Sequence, residues 1–252
     1  MKYLVPILGA IGLLIVSCQP IVTLEKPNVA ATPTDDGGKL SLSWNAITDA
    51  DGYYIYLDGV KYDSTTSTNY VVSTPAQIVE VSAYAGDEES DKWKGDYTPV
   101  VNSVTVYGLS DPSPEHPSGL QLKDAGAIAL SLEEANKPNI DYVFDDKAYA
   151  PAMYLINAGD YEGWPNTKGN ASADAQTTDF DAVDIAPAPG VYNTQTEIAT
   201  NGVYYLWLDR DNNQKTEGDN FGKLQVLSIS DHKVEIKVAY QKFAGLRWVK
   251  TK

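Results

Sequence analysis

One cysteine, Cys18, and two histidines, His116 and His232, are all the thiol and imidazole chemistry that the 252 residues offer. A Ser-His-Asp triad needs an imidazole held between a nucleophile and an acid, and a zinc site needs several imidazoles or thiolates converging. His116 stands in a proline-rich run and His232 in an "SDHK" turn between two strand-like stretches, so both read as solvated surface side chains. Catalysis would then fall to the 34 carboxylates, as a pair of the kind that glycoside hydrolysis uses, and nothing in their spacing locates such a pair. No catalytic residue is assigned, and no cofactor is implied.

Two acidic clusters have spacings that bear on cations. "DRDNNQKTEGDN" places Asp209, Asp211 and Asn213 at the first, third and fifth positions of a calcium loop, but Gln214 stands where the turn glycine belongs and Asn220 where a bidentate Glu belongs. "TTDFDAVD" offers Asp179, Asp181 and Asp184. Both are read as hydrated loops, and no metal site is assigned. Aromatics are the other surplus: 17 Tyr and 5 Trp against 4 Phe. Tyr and Trp combine a stacking face with a polar handle, which suits wet interfaces and sugar rings. Most fall on strand-like runs, whereas Tyr161 and Trp164 lie in "AGDYEGWPNTKGN", a Gly-, Pro- and Asn-rich loop. They are either tucked back onto the core or presented to a ligand, and are the candidate ligand-binding residues.

Cys18 follows a basic start at Lys2 and an uncharged, mostly apolar run from Leu4 to Val16. That run is shorter than the ~20 residues of a spanning helix, so it reads as an export leader. Ile15-Val16-Ser17-Cys18 resembles the bacterial lipobox. The resemblance implies a diacylglyceryl group on the Cys18 sulfur, cleavage before Cys18, a leader over 1–17 and a tether over 18–22; the alternative is an ordinary leader with an incidental cysteine. Each buried methylene contributes about 0.8 kcal/mol, and the several acyl chains of a lipoprotein hold firmly where one alone is marginal. Gln19 in place of Asp implies an outer-membrane address if the host has an outer membrane.

The charge agrees with export and excludes one partner class. At a formal net charge of -15, the chain lacks the clustered cations that nucleic-acid phosphates require. The bases concentrate late: seven lie between Lys223 and Lys252, while 111–219 is strongly acidic. The two segments are read as lying side by side and neutralising one another rather than as an anion site.

The elements that would position these residues are strands. In 23–108, "KLSLSWN", "GYYIYLDG", "TNYVVS", "QIVEVSAYA" and "NSVTVYG" recur with turn residues between them, which predicts an all-β sandwich. Pro27, "LSLSW" with Trp44, "DGYYIYLDG" and "VEVSAYAGDEES" resemble a fibronectin type III domain, which implies that Trp44 and Tyr54 are inter-sheet core residues. Gln77 departs from that family, which usually has a tyrosine there. Residues 109–118, with Pro112, Pro114 and Pro117, read as a linker.

In 119–252, strands are predicted over 126–132, 140–146, 152–157, 202–209, 223–230 and 233–243. Val203 to Leu208 is apolar on both parities and so belongs at a sheet centre, while Val234, Ile236, Val238 and Tyr240 alternate with polar residues. Ser131-Leu132-Glu133-Glu134 fits a capping box and predicts a helical turn. The reading is a second, jelly-roll-like β-sandwich. Its sequence resembles C-terminal regions of fibronectin-type bacterial lipoproteins, which implies no activity. The functional expectation is a lipid-anchored, non-catalytic binding or structural module of the cell envelope, with a glycan or another envelope protein as ligand. The alternative is a carbohydrate-active envelope enzyme, or a subunit of a polysaccharide-handling complex.

Overall fold

Alternating apolar residues become antiparallel strands throughout the computed structural model, which describes residues 23–148, 150–161, 164 and 168–252. Cys18 and the segments expected to be its leader and tether lie outside the described residues. Among those described, no helix is long and apolar enough to cross a membrane.

The first part contains β1 (Val29–Thr34), β2 (Lys39–Trp44), β3 (Gly52–Leu57), β4 (Val60–Thr65), β5 (Asn69–Val72), β6 (Ile78–Ala85), β7 (Glu88–Glu89) and β8 (Trp93–Asp96). One sheet runs β1-β2-β5; the other runs β4-β3-β6, with β7 and β8 both on β6. Leu40, Leu42 and Trp44 of β2 meet Ile55 of β3 and Val79, Val81 and Ala83 of β6 between the sheets. Burying each large aliphatic side chain contributes about 1.5–3 kcal/mol. Trp44 occupies the core as the resemblance implies, but Tyr54 does not. On β3 the inward parity belongs to Tyr53, Ile55 and Leu57, so Tyr54 faces outward, stacked on Tyr84 at 4.1 Å beneath the Lys61 ammonium.

The second sandwich contains β9 (Val100–Tyr107), β10 (Gly119–Lys123), β11 (Gly126–Leu130), β12 (Tyr142–Asp145), β13 (Met153–Asn157), β14 (Ala171–Asp174), β15 (Gln195–Ile198), β16 (Val203–Leu208), β17 (Asn220–Ser230) and β18 (Lys233–Gln241). Its sheets run β11-β10-β12-β13-β15 and β14-β16-β17-β18-β9. β16 is central, as its composition requires. Tyr204, Leu206 and Leu208 enter the inter-sheet core, while Val203 and Trp207 enter a second apolar layer with Phe180, Val183 and Ala186 on the other face.

The expected boundary at 108 moves. β9, assigned above to the first sandwich, pairs with β18 along eight residues, from Val100 opposite Tyr240 to Tyr107 opposite Lys233. Val106 is fully buried in the second core. Residues 109–118 are therefore a loop within the second sandwich: Tyr107 donates its N–H to Pro117, and His116 stacks on Tyr107 at 3.9 Å. The prolines were a fair sign of a loop and a poor sign of a domain border, since a missing N–H forbids a central strand but says nothing about what flanks it.

The capping box at Ser131 opens no helix. Ser131 instead accepts from the Asn136 side chain through both its carbonyl and its hydroxyl, and a single 3-10 turn follows at Lys137–Asn139. The far end of β18 is dry on both faces: Gln241, expected to be wet, is fully buried and donates to the carbonyls of Tyr97 and Trp248, 2.8 Å each. From there the chain returns to the first sandwich, where Leu246 and Trp248 join its core. Gly37 permits this approach, because a Cβ there would lie 2.1 Å from the Gly245 carbonyl oxygen.

The late basic residues are largely spent locally. Lys223 is buried against the carbonyls of Phe180 and Val183, and burial lowers its pKa to about 8; Lys252 pairs with Asp181, and Lys250 with Asp58 at 2.7 Å.

Candidate functional site

The site grows from one buried carboxylate at an end of the second sandwich. Asp141, 1% exposed, directly precedes β12. Its oxygens accept from the Leu122 N–H at 2.8 Å, from Lys168 Nζ at 3.1 Å and from Arg210 through Nε and Nη2, both at 3.1 Å. Lys168 also donates to the Ile140 carbonyl at 2.7 Å, and Arg210 to the Leu122 carbonyl and, at 3.3 Å, to the Asn220 side chain. A buried carboxylate needs such company, because an unpaired charge out of water is costly. Burial opposes the Arg210 charge, yet the bonds to Asp141 outweigh it, and the guanidinium is held more firmly protonated than usual.

Strand ends bring these groups together. Arg210 follows β16, Lys168 precedes β14, Asn220 opens β17, Tyr240 and Lys242 lie at the end of β18, and Lys123 ends β10 with Asp124 in the turn to β11. They surround a cavity of about 720 Å³. A second cavity of about 300 Å³ adjoins it, lined by Trp164, Lys137, Ile140 and Ala158, and Pro138 and Lys168 border both. Lys168 also borders a third, of about 250 Å³, with Tyr192 and Trp207.

Tyr161 and Trp164 are both tucked and available. Their rings meet edge to face at 5.2 Å, and both pack, partly buried, on Ile140, Val143 and Ala158. Trp164 still forms a wall of the 300 Å³ cavity, with the Lys137 ammonium 5.6 Å from its ring centre. Tyr161 borders none of the three cavities and acts as a support behind Trp164.

The acidic clusters are organised differently from their spacing. Asp209, Asp211 and Asp219, and not Asn213, bring oxygens within 4.8 Å of one another. Asn213 turns its Nδ2 onto Asp211 at 2.8 Å, while its N–H and the N–H and side chain of Gln214 cap the two oxygens of Asp209. Asp219 accepts from the Trp207 indole at 2.7 Å. Burial first, with the nearby Asp209 and Asp211 charges, pushes Asp219 up to about 7. None of the three aspartates borders the cavities above. In the other cluster, Asp179 accepts from the Asp181 N–H, and Asp181 from Thr251, so these acids pin the chain locally.

His116 accepts or donates at Asp111, 2.8 Å away, and His232 pairs with Asp146. Asp141, Lys168 and Arg210 are not marked by local spacing, because their partners lie 10 to 88 positions away. One signal existed: the chain has only two arginines, Arg210 and Arg247, and an arginine in a lysine-rich sequence marks a need for fixed, forked donors.

No protein-family model matches the chain, and neither does any curated protein. Among solved structures, a DUF4466 family protein from Parabacteroides merdae aligns with a TM-score of 0.43 at 9% identity, covering 89% of this chain and 100% of that one. The M60 catalytic domain with the CBM51-1 and CBM51-2 domains from Clostridium perfringens ZmpB aligns with a TM-score of 0.23 at 9% identity, covering 90% of this chain and 31% of that one. At these scores the likeness carries no functional argument.

Proposed function

We propose that the protein is an exported, non-catalytic binding module of a bacterial envelope, tethered by acyl chains on Cys18, which holds a glycan in the groove between Trp164 and Arg210. The observation that carries the reading is the pair of adjoining cavities at Lys168, one with an indole wall and one with a rim of charged and amide side chains. An indole face stacks on a sugar ring, and fixed charged and amide groups select among its substituents. The first sandwich supports the fibronectin type III resemblance through its β1-β2-β5 and β4-β3-β6 sheets and its core Trp44, and serves as a spacer between tether and groove. Gln19 supports an outer-membrane address if the host has an outer membrane.

The non-catalytic reading rests on Asp141. The carboxylate that reaches the groove accepts from the Leu122 N–H, from the Lys168 and Arg210 cations and, at 3.5 Å, from the Asn170 side chain, so its oxygens are engaged and it is poorly placed to attack a sugar. A glycan array probed with a soluble 19–252 fragment tests the proposal. Binding that Trp164→Ala abolishes without altering the fold supports it; an array with no binding overturns it.

A second reading has one observation in its favour. Asp209 and Asp219 are close, and Asp219 is poised near neutrality as a general acid must be. Release of sugar from any array glycan, lost in Asp219→Asn, would establish this hydrolase reading instead.

A further inference from the structure

We infer that the ligand of this groove is acidic, a sugar carrying isolated carboxylate or sulfate groups; this rests on the glycan reading above. The larger cavity inverts the charge of the molecule. Lys123, Lys168, Arg210 and Lys242 border it against Asp124 and Asp141, a net of two positive charges within a chain of net charge -15. Two of the cations share one carboxylate, so the buried network itself retains a positive charge. The other two, Lys123 and Lys242, are exposed and make no salt bridge among the described residues. Of the late lysines, Lys223 is spent on carbonyls and Lys250 and Lys252 on neighbouring acids, whereas Lys242, and Lys123 at the same cavity, keep their ammonium groups clear of any ion pair among the described residues.

A cleft lined by one sign of charge between low-dielectric walls concentrates the opposite ion. Lys168 joins this cleft to the Trp164 cavity. A sugar ring stacked on the indole would direct an acidic substituent toward Lys168 and Arg210, and a neighbouring one toward Lys123 and Lys242. A densely charged polyanion fits worse, since beyond a Debye length of about 8 Å it would meet the acidic remainder of the surface.

The test is calorimetric titration of the soluble 19–252 fragment with trigalacturonate, a sulfated galactobiose and neutral galactotriose, alongside the glycan array. The expected result is binding of one or both acidic sugars, weakening as NaCl rises from about 0.1 to about 1 M, where the Debye length shrinks from about 10 to about 3 Å. Which acidic sugar binds tells carboxylate from sulfate. The Lys123→Ala/Lys242→Ala variant changes only exposed side chains, and it should weaken acidic-sugar binding about tenfold while leaving its near-UV circular dichroism and any galactotriose binding unchanged. If array and titrations find only neutral glycans, or if the double variant binds the acidic sugars as wild type does, the acidic-ligand inference falls and the glycan reading stands. If nothing binds in either assay, both fall.

Discussion

Trp248 donates its indole N–H to the carbonyl of Gly38 at 3.0 Å, across 210 positions of chain. Its ring is fully buried in the core of the first sandwich, edge to face with Tyr97 at 6.1 Å. Arg247 beside it donates to the Asp36 carbonyl at 2.7 Å. Trp248→Ala should therefore cost about 3–5 kcal/mol through the cavity it leaves. The loss should appear in the first sandwich: hydrogen exchange in β2 and β6 should accelerate before exchange in β16 and β17. Uniform acceleration across both sandwiches would show that they unfold as one unit.

Asp141→Ala removes the carboxylate that Lys168 and Arg210 share. Two partly buried cations would then face each other without compensation, a loss of about 3 kcal/mol once the partial exposure of Arg210 is allowed for. Urea denaturation should show it as a lower midpoint at unchanged slope. Asp141→Asn keeps an acceptor for one donor and should fall between the two.

Asp219 makes stability depend on pH. Its folded-state pKa of about 7 lies above the ordinary aspartate value near 3.9, so between these limits the folded chain holds a proton that the unfolded chain has released. Stability from this group is full below about pH 4, declines as pH rises through the window, and levels off above about 7. Asp219→Asn retains an oxygen for the Trp207 indole and cannot ionise. It should flatten the dependence and be more stable than wild type by about 2 kcal/mol at pH 8. Equal slopes for the two proteins between pH 4.5 and 7.5 would refute the assignment.

The Asp146 carboxylate holds the His232 imidazole above its usual pKa, through a hydrogen bond and then through its charge. The contribution is present below about pH 6.5 and is lost as pH rises through the folded value. Proton NMR of the two histidines should place the His232 midpoint above 6.5, and Asp146→Asn should return it toward the ordinary value.

Where burial is periodic, the strands could be read before folding. β16 is apolar on both parities, and both its faces are covered; β2 and β6 bury the residues that their alternation points inward. β4 and β14 were invisible for the opposite reason: "VKYDST" and "ASAD" carry little apolar signal and pair at sheet edges. The partner of β9 could not be read either, because alternation identifies a strand and its buried face but not the sheet it joins. Trp164 was found from composition, as an indole in a Gly/Pro loop. Asp141, Lys168 and Arg210 were not, since each looks ordinary until four distant strand ends converge.

The return of residues 246–248 to the first sandwich also orders events in time. A chain emerging from a ribosome or a translocon presents β1 to β8 early, but the indole that completes their core arrives only after all of β9 to β18 has passed. Until then, Leu40, Leu42 and Val81 have an incomplete partner set, and the half-built sandwich carries exposed apolar surface through most of synthesis. Completion of the first sandwich is thus gated by the last stretch to appear, and a holding chaperone would act on the nascent protein during that interval.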